Sequence, residues 1–237
     1  MKSRTFCCTL TPVSTTSQRL MEMYDAARAR FGHQGWWPGD GALEICVGAI
    51  LTQNTNWTNV EKAIANLNTD GCMSVSALRA KPQEELATLI KPAGYFNVKA
   101  KRLKNFISHV YETFGDDIKA FLGRSVATLR EELLSINGIG RETADSMILY
   151  AAGKTTFVVD TYTYRILLRH GLIDSDYDYE MIKELLESSL AEDVDLYNDF
   201  HAQFVAVGKH YCKPKAKCAD CPLEHLPHDP LAGLEYG

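Results

Sequence analysis

A chain of 237 residues with 46% apolar and 23% charged side chains can bury a full core, as one large domain or two small ones. No apolar run reaches the ~18 residues of a membrane span, and the basic, hydroxyl-rich start lacks a secretory apolar stretch, so a cytoplasmic protein without membrane contact is expected. A net charge of −5 disfavours a broadly basic nucleic-acid binder and leaves any such role to two local clusters, Lys99/Lys101/Arg102/Lys104 and Lys209/Lys213/Lys215/Lys217.

Taken in chain order, an irregular N-terminal arm leads to a capping-box pair, Thr15 and Gln18, before a helix that Gly32 stops. Leu43, Cys46, Val47, Ile50 and Leu51 then share one helical face, with Cys46 as a core residue. Thr58 and Glu61 repeat the capping-box signature before the next apolar pattern. Pro82 suits a first helical turn, and Pro92 and Gly94 break the chain before a basic helix from about Asn97 to Phe114. A helix near 128–136 enters the turn Gly138-Ile139-Gly140, and a second runs from about Arg141 to Ala152, with Gly153 as its stop. The apolar run 155–159 is too short to separate a strand from a buried connector. Asp160 precedes YTYRILLRH, and further helices cover roughly 179–190 and 196–211. The chain therefore reads as all-α, with about ten helices.

The stretch from Leu133 to Arg165 carries the chemistry. Gly138 and Gly140 leave the backbone uncovered around Ile139, and the helix that follows points free N–H groups and a positive dipole end into the turn. A phosphate fits there without a basic side chain; a plain αα-hairpin would show the same glycines. Ile139 can plug the gap between the two helices. Asp160 ends an apolar run, where a carboxylate serves either as the cap of the next helix or as a catalytic charge.

The segment SINGIGRETA (135–144) resembles the Leu-Pro-Gly-Val-Gly-Arg-Lys-Thr-Ala pattern of the helix–hairpin–helix motif in the endonuclease III superfamily of DNA glycosylases. LTQNT at 51–55 resembles that family's strand-inserting segment, and GYFNVKAKRL at 94–103 its Gly-Tyr-x-Asn-x-Lys-Ala helix start. The resemblance implies a two-lobed all-α fold. A six-helix lobe would span about 39–150, and residues 1–38 and 151–237 would form the second lobe. It further implies a monomeric base excision repair enzyme at the nucleoid, acting on double-stranded DNA with a damaged base. Asp160 matches the catalytic aspartate, which would stabilise positive charge on the sugar after the base is flipped out. Gln53, Asn54, Gly138, Ile139, Gly140, Arg141 and Thr143 match DNA-contacting positions.

One departure from the family matters. Bifunctional members carry a lysine two residues after the second hairpin glycine, where its amine attacks the sugar. This chain has Glu142, which forms no Schiff base and on its own reads as a solvated first-turn residue. Monofunctional base release is therefore expected. An endonuclease III-like lyase on oxidised pyrimidines and a non-catalytic DNA-binding module are the alternatives. WWPGD (36–40), LTQNTNW (51–57) and GRETAD (140–145) most resemble the 3-methyladenine branch. Trp36, Trp37 and Trp57, with Glu142, would then frame a pocket for a cationic alkylated purine.

Cys212, Cys218 and Cys221 resemble the family's C-terminal iron–sulfur loop, whose four cysteines are spaced x6, x2 and x5. Here the first gap is one residue shorter and the fourth position, 227, is Pro; His225 and His228 are nearby. A [4Fe-4S] cluster with an incomplete cysteine set, zinc in a Cys3His site and a metal-free loop all remain open. Cys7, Cys8, Cys46 and Cys72 have no metal-like spacing, and nothing suggests a secreted disulfide framework.

Overall fold

The computed structural model describes residues 15–233; the expected N-terminal arm, with Cys7 and Cys8, lies outside the described residues. Those residues form twelve α-helices, a 3-10 turn and a π-helical turn, with no strand among them. The helices are α1 (Thr16–Phe31), α2 (Ala42–Leu51), α3 (Trp57–Thr69), α4 (Val75–Ala80), α5 (Gln83–Leu89), α6 (Phe96–Phe114), α7 (Ile118–Leu122), α8 (Val126–Ser135), α9 (Arg141–Ser146), α10 (Thr161–Arg169), α11 (Tyr179–Ser189) and α12 (Val194–His210). The 3-10 turn covers Lys91–Ala93, and the π turn, Met147–Ala151, continues α9. None of these helices is long and apolar enough to cross a membrane.

Side-chain caps set most helix starts. Thr15 and Gln18 form the expected capping box, and Gly32 ends α1 at φ 71°. The box expected at Thr58 and Glu61 does not form. Asn56 lies two residues earlier in an extended conformation, and its Oδ1 accepts the Asn59 N–H at 3.1 Å. That cap makes Trp57 the first residue of α3. Residues 155–159 form a connector without regular secondary structure rather than a strand, with Thr156, Phe157, Val158 and Val159 all buried.

Two hydrophobic cores divide the helices. The first gathers residues from Cys46 to Ile148, and Ile139 is buried in it as a plug between the hairpin helices. The second joins Leu20, Met23, Tyr24 and Ala27 of α1 to residues from Leu149 onward. The chain thus passes from one core to the other within the π turn, between Ile148 and Leu149.

A buried ionic knot ties the junction. The Asp145 carboxylate is fully buried and accepts two hydrogen bonds from Arg130 of α8, at 2.8 and 3.1 Å. It also accepts from the Tyr179 hydroxyl of α11 at 2.8 Å and the Thr156 hydroxyl of the connector at 3.2 Å. Four hydrogen bonds satisfy the charge that burial exposes to a low dielectric.

The basic cluster in α6 departs from expectation. Lys99 is buried, and its ammonium donates to the carbonyls of Leu51 and Ala93 at 2.9 and 2.8 Å. Burial, with Arg102 nearby, lowers its pKa to about 8. Lys104 donates to the Leu78 and Lys81 carbonyls at the end of α4. These two lysines bind orphan carbonyls at turn ends instead of presenting charge to a ligand.

Candidate active site

A cleft of about 1000 Å³ opens between residues of the two cores. Gln53 and Trp57 enter from α2–α3, Arg102 from α6, Gly138 to Thr143 from the hairpin, Asp160 and Tyr162 from the start of α10, and His201, Val205 and Lys209 from α12. Nearly all the expected site residues therefore share one concavity; only the cysteines stand apart.

The hairpin is open where a ligand would meet it. α9 has no side-chain cap at Gly140, so no capping side chain covers its first-turn donors. Gly138 sits at φ 102°, and a Cβ there would fall 2.3 Å from Arg102 Cγ. Gly140 has an ordinary extended backbone, and a Cβ at that position would meet no heavy atom within 4 Å, so its space belongs to the cleft. Gln53 ties α2 to the hairpin: Nε2 donates to Gly138 O at 3.2 Å and to Thr143 Oγ1 at 2.9 Å, while Oε1 accepts from Arg102. Asn54 beside it is left-handed, at φ 53°. Arg141 faces Glu180 at 3.2 Å.

The three tryptophans form one aromatic wall. Trp36 meets Trp37 edge-on at 5.5 Å between ring centroids, and Trp37 meets Trp57 edge-on at 5.0 Å. Tyr150 stacks on Trp37 at 5.1 Å, and the Lys209 ammonium lies 5.5 Å over the Trp36 ring. Gly48 makes this packing possible: a Cβ there would sit 3.3 Å from Trp37 Nε1 and 3.4 Å from Trp57. All three indole N–H groups are buried without a hydrogen-bond partner, which leaves the wall with apolar faces and unused donors.

Two carboxylates share the cleft with this wall. Asp160 caps α10: Oδ1 accepts the Thr163 N–H at 2.7 Å and the Thr163 hydroxyl at 2.9 Å. Burial alone would raise its pKa; His201 and the Thr163 donors outweigh that and hold it below the ordinary aspartate value. Glu142 moves the other way. Dehydration by the cleft walls raises its pKa to about 7, Asp160 adds to the effect and His201 opposes it. Glu142 is nevertheless an exposed residue, and solvent screening tempers the shift. Glu142 is thus an exposed first-turn residue of α9, as expected, and it also lines the cleft. Two carboxyls pushed apart in pKa are a common arrangement in hydrolytic sites.

His201, in the cleft, and Tyr150, packed behind it on Trp37, join the site without having been legible in the sequence, as does Lys209, which was read only as part of a basic cluster. His201, Val205 and Lys209 recur at i, i+4 and i+8 along α12, one face of a helix, and that spacing is the signal that could have found them. Tyr150 gives none, because a tyrosine inside an apolar run reads as core.

The cysteine loop lies elsewhere. Cys212, Cys218 and Cys221 line a separate small cavity with His228. Arg169, itself buried, donates to Cys212 Sγ at 3.3 Å and to the carbonyls of Lys213 and Pro214, both at 2.7 Å. Position 227 has no side-chain donor, His228 Nδ1 is 2.8 Å from the Leu226 carbonyl and His225 is exposed. Among the described residues no group of three or more His, Cys, Asp or Glu side chains is arranged to hold a metal ion. Three thiols with Pro at position 227 do not fit a four-thiolate cluster.

Residues 47–192 match the model of the HhH-GPD superfamily of base excision DNA repair proteins. The chain belongs to that superfamily. It is 42% identical over 210 residues to a protein of Methanocaldococcus jannaschii named provisionally as a DNA repair glycosylase, spanning 88% of this chain and 96% of that one. Endonuclease III of Thermotoga maritima is 31% identical over 184 residues, covering 77% of this chain and 81% of the relative. Among solved structures, the H. pylori 3-methyladenine DNA glycosylase MagIII bound to 1,N6-ethenoadenine superposes with a TM-score of 0.70 at 27% identity, covering 83% and 98% of the two chains. An endonuclease III–DNA complex superposes with a TM-score of 0.78 over 92% and 97% at 21% identity, a likeness of fold. The two-lobed helix–hairpin–helix glycosylase fold expected from sequence is the observed one.

Proposed function

We propose that this DNA glycosylase of the HhH-GPD superfamily is monofunctional: it hydrolyses the N-glycosidic bond of a flipped-out, cationic alkylated purine such as 3-methyladenine and leaves the abasic site intact. The observation that carries this reading is the aromatic wall of Trp36, Trp37 and Trp57 sharing one cleft with two carboxylates, with no lysine at position 142. The likeness to MagIII supports it.

The geometry gives each part a task. The hairpin N–H groups and the dipole of the following helix receive a backbone phosphate. Gln53, already drawn toward the hairpin, stands where it can fill the space of the departed base. The electron-rich rings receive a positively charged base, a contact worth ~0.5–2 kcal/mol and strongest for Trp. Such a base is a good leaving group, so the enzyme has little protonation to perform. Asp160, held ionised, stabilises the positive charge that grows on the sugar and can orient or deprotonate the attacking water. Glu142 cannot form the imine needed for strand cleavage.

The test is a panel of duplexes, each with one lesion, with and without subsequent alkali treatment. Alkali-dependent cleavage at a cationic purine, and no borohydride-trapped adduct, is expected. Asp160→Asn, which keeps a good helix cap, should lose ~10²–10⁴-fold in single-turnover base release. A robust covalent adduct would favour the lyase alternative. Wild-type rates in the Asp160→Asn protein would remove Asp160 from the chemistry.

A further inference from the structure

The two oxygens of Asp160 are treated differently. Oδ1 is taken by Thr163 through its N–H and hydroxyl. Oδ2 faces His201, whose Nε2 lies 3.6 Å away, just beyond hydrogen-bond length. That Nε2 is buried and has no hydrogen-bond partner. On the other side of the ring, Nδ1 is 2.6 Å from the Tyr150 hydroxyl. Burial, reinforced by the Asp160 charge, pushes the Tyr150 phenol well above its ordinary pKa, so it keeps its proton. A phenol donating to Nδ1 leaves the ring proton on Nε2, pointed at Asp160. A shift of about 0.6 Å would complete that hydrogen bond.

We propose that His201 is a positioning residue for Asp160: its Nε2–H, fixed by Tyr150, aims Oδ2 at the sugar carbon. Tyr150 also stacks on Trp37, so the same pair ties the carboxylate to the wall that receives the base. This inference rests on the glycosylase reading of the cleft. Oδ1 is held by local helix capping, which fixes the carboxyl group but not the direction of its free oxygen; His201 supplies the second point. Glu142 of α9 and Tyr150 of the π turn act on the pair directly, and Arg102, Arg141, Tyr162, Tyr179 and Lys209 line the same cleft.

The test uses wild-type protein and the His201→Gln and Tyr150→Phe variants. Carboxyl-carbon NMR of aspartate-labelled free protein follows the titration of Asp160, with Asp160→Asn to assign its signal. Single-turnover base release is then measured against pH. Loss of the imidazole should let burial dominate. Asp160 then titrates at higher pH in His201→Gln, the acid limb of base release moves with it, and the plateau rate drops about tenfold. Tyr150→Phe should move both in the same direction by less. Superimposable titrations and acid limbs in all three proteins would overturn the proposal, since a purely structural histidine would change stability alone. If His201→Gln does not fold, Tyr150→Phe, which keeps the ring, decides by the same two measurements. If wild type releases no base from any duplex, the glycosylase reading fails, and the NMR titration still decides whether His201 holds Asp160.

Discussion

At the scale of single residues, Glu142 has two opposed consequences of pH. Its folded-state pKa is raised, to about 7, so the folded protein holds a proton that the unfolded chain releases near 4.5. Stability contributed by this group is therefore present at low pH and lost as pH rises from about 4.5 to about 7. The same ionisation creates a second negative charge beside Asp160, which favours a cationic base. Glu142→Gln separates the two effects. Half-saturation of wild type by a cationic-purine duplex should tighten as pH rises through about 7, whereas the variant should show a flat profile there. The variant's melting temperature should exceed that of wild type at pH 8 and match it at pH 4. Identical binding profiles for the two proteins would remove Glu142 from base recognition.

At the scale of elements, the helix–hairpin–helix is legible because glycine spacing, apolar faces and the position of Asp160 all agree along one stretch of sequence. The α3 start is not, because a Thr–Glu pair at capping-box spacing competes with Asn56, and only tertiary placement shows which residue is extended. Lys99 misleads for a related reason. A lysine in a basic helix looks solvated until the carbonyls of Leu51 and Ala93 are brought to it by the fold. The hairpin glycines make separable predictions. Gly138→Ala combines a positive φ with a collision against Arg102 and should lower stability by ~1–3 kcal/mol in urea unfolding. Gly140→Ala meets no protein atom, so its unfolding midpoint should stay near wild type while DNA affinity falls about tenfold or more. Unchanged affinity in Gly140→Ala would place the phosphate elsewhere.

At the scale of the whole molecule, an all-α chain is evident from helical periodicity and scarce strand signals. The knot around Asp145 is not, because its members Arg130, Thr156 and Tyr179 come from separate elements with no shared spacing. The knot is the structural junction of α8, α9, the connector and α11. Arg130→Met leaves a fully buried carboxylate with two hydroxyl donors in place of a guanidinium, and should cost about 3–5 kcal/mol in denaturant unfolding. Arg130→Met paired with Asp145→Leu should recover much of that loss, because neither charge is then stranded. A small loss in the single variant would mean that the knot is not a determinant of stability.

The crossing between Ile148 and Leu149 also makes the protein a ruler. The hairpin and Asp160 stand on opposite sides of that crossing, joined by one short covalent path that the Asp145 knot pins part-way along. On the proposed reading, the distance from backbone phosphate to scissile bond is graduated by a continuous stretch of chain. The tryptophans of the aromatic wall, Trp36, Trp37 and Trp57, lie outside that stretch. On the same reading, substrate choice can be redrawn by exchanging the jaws while the gauge between them stays in calibration.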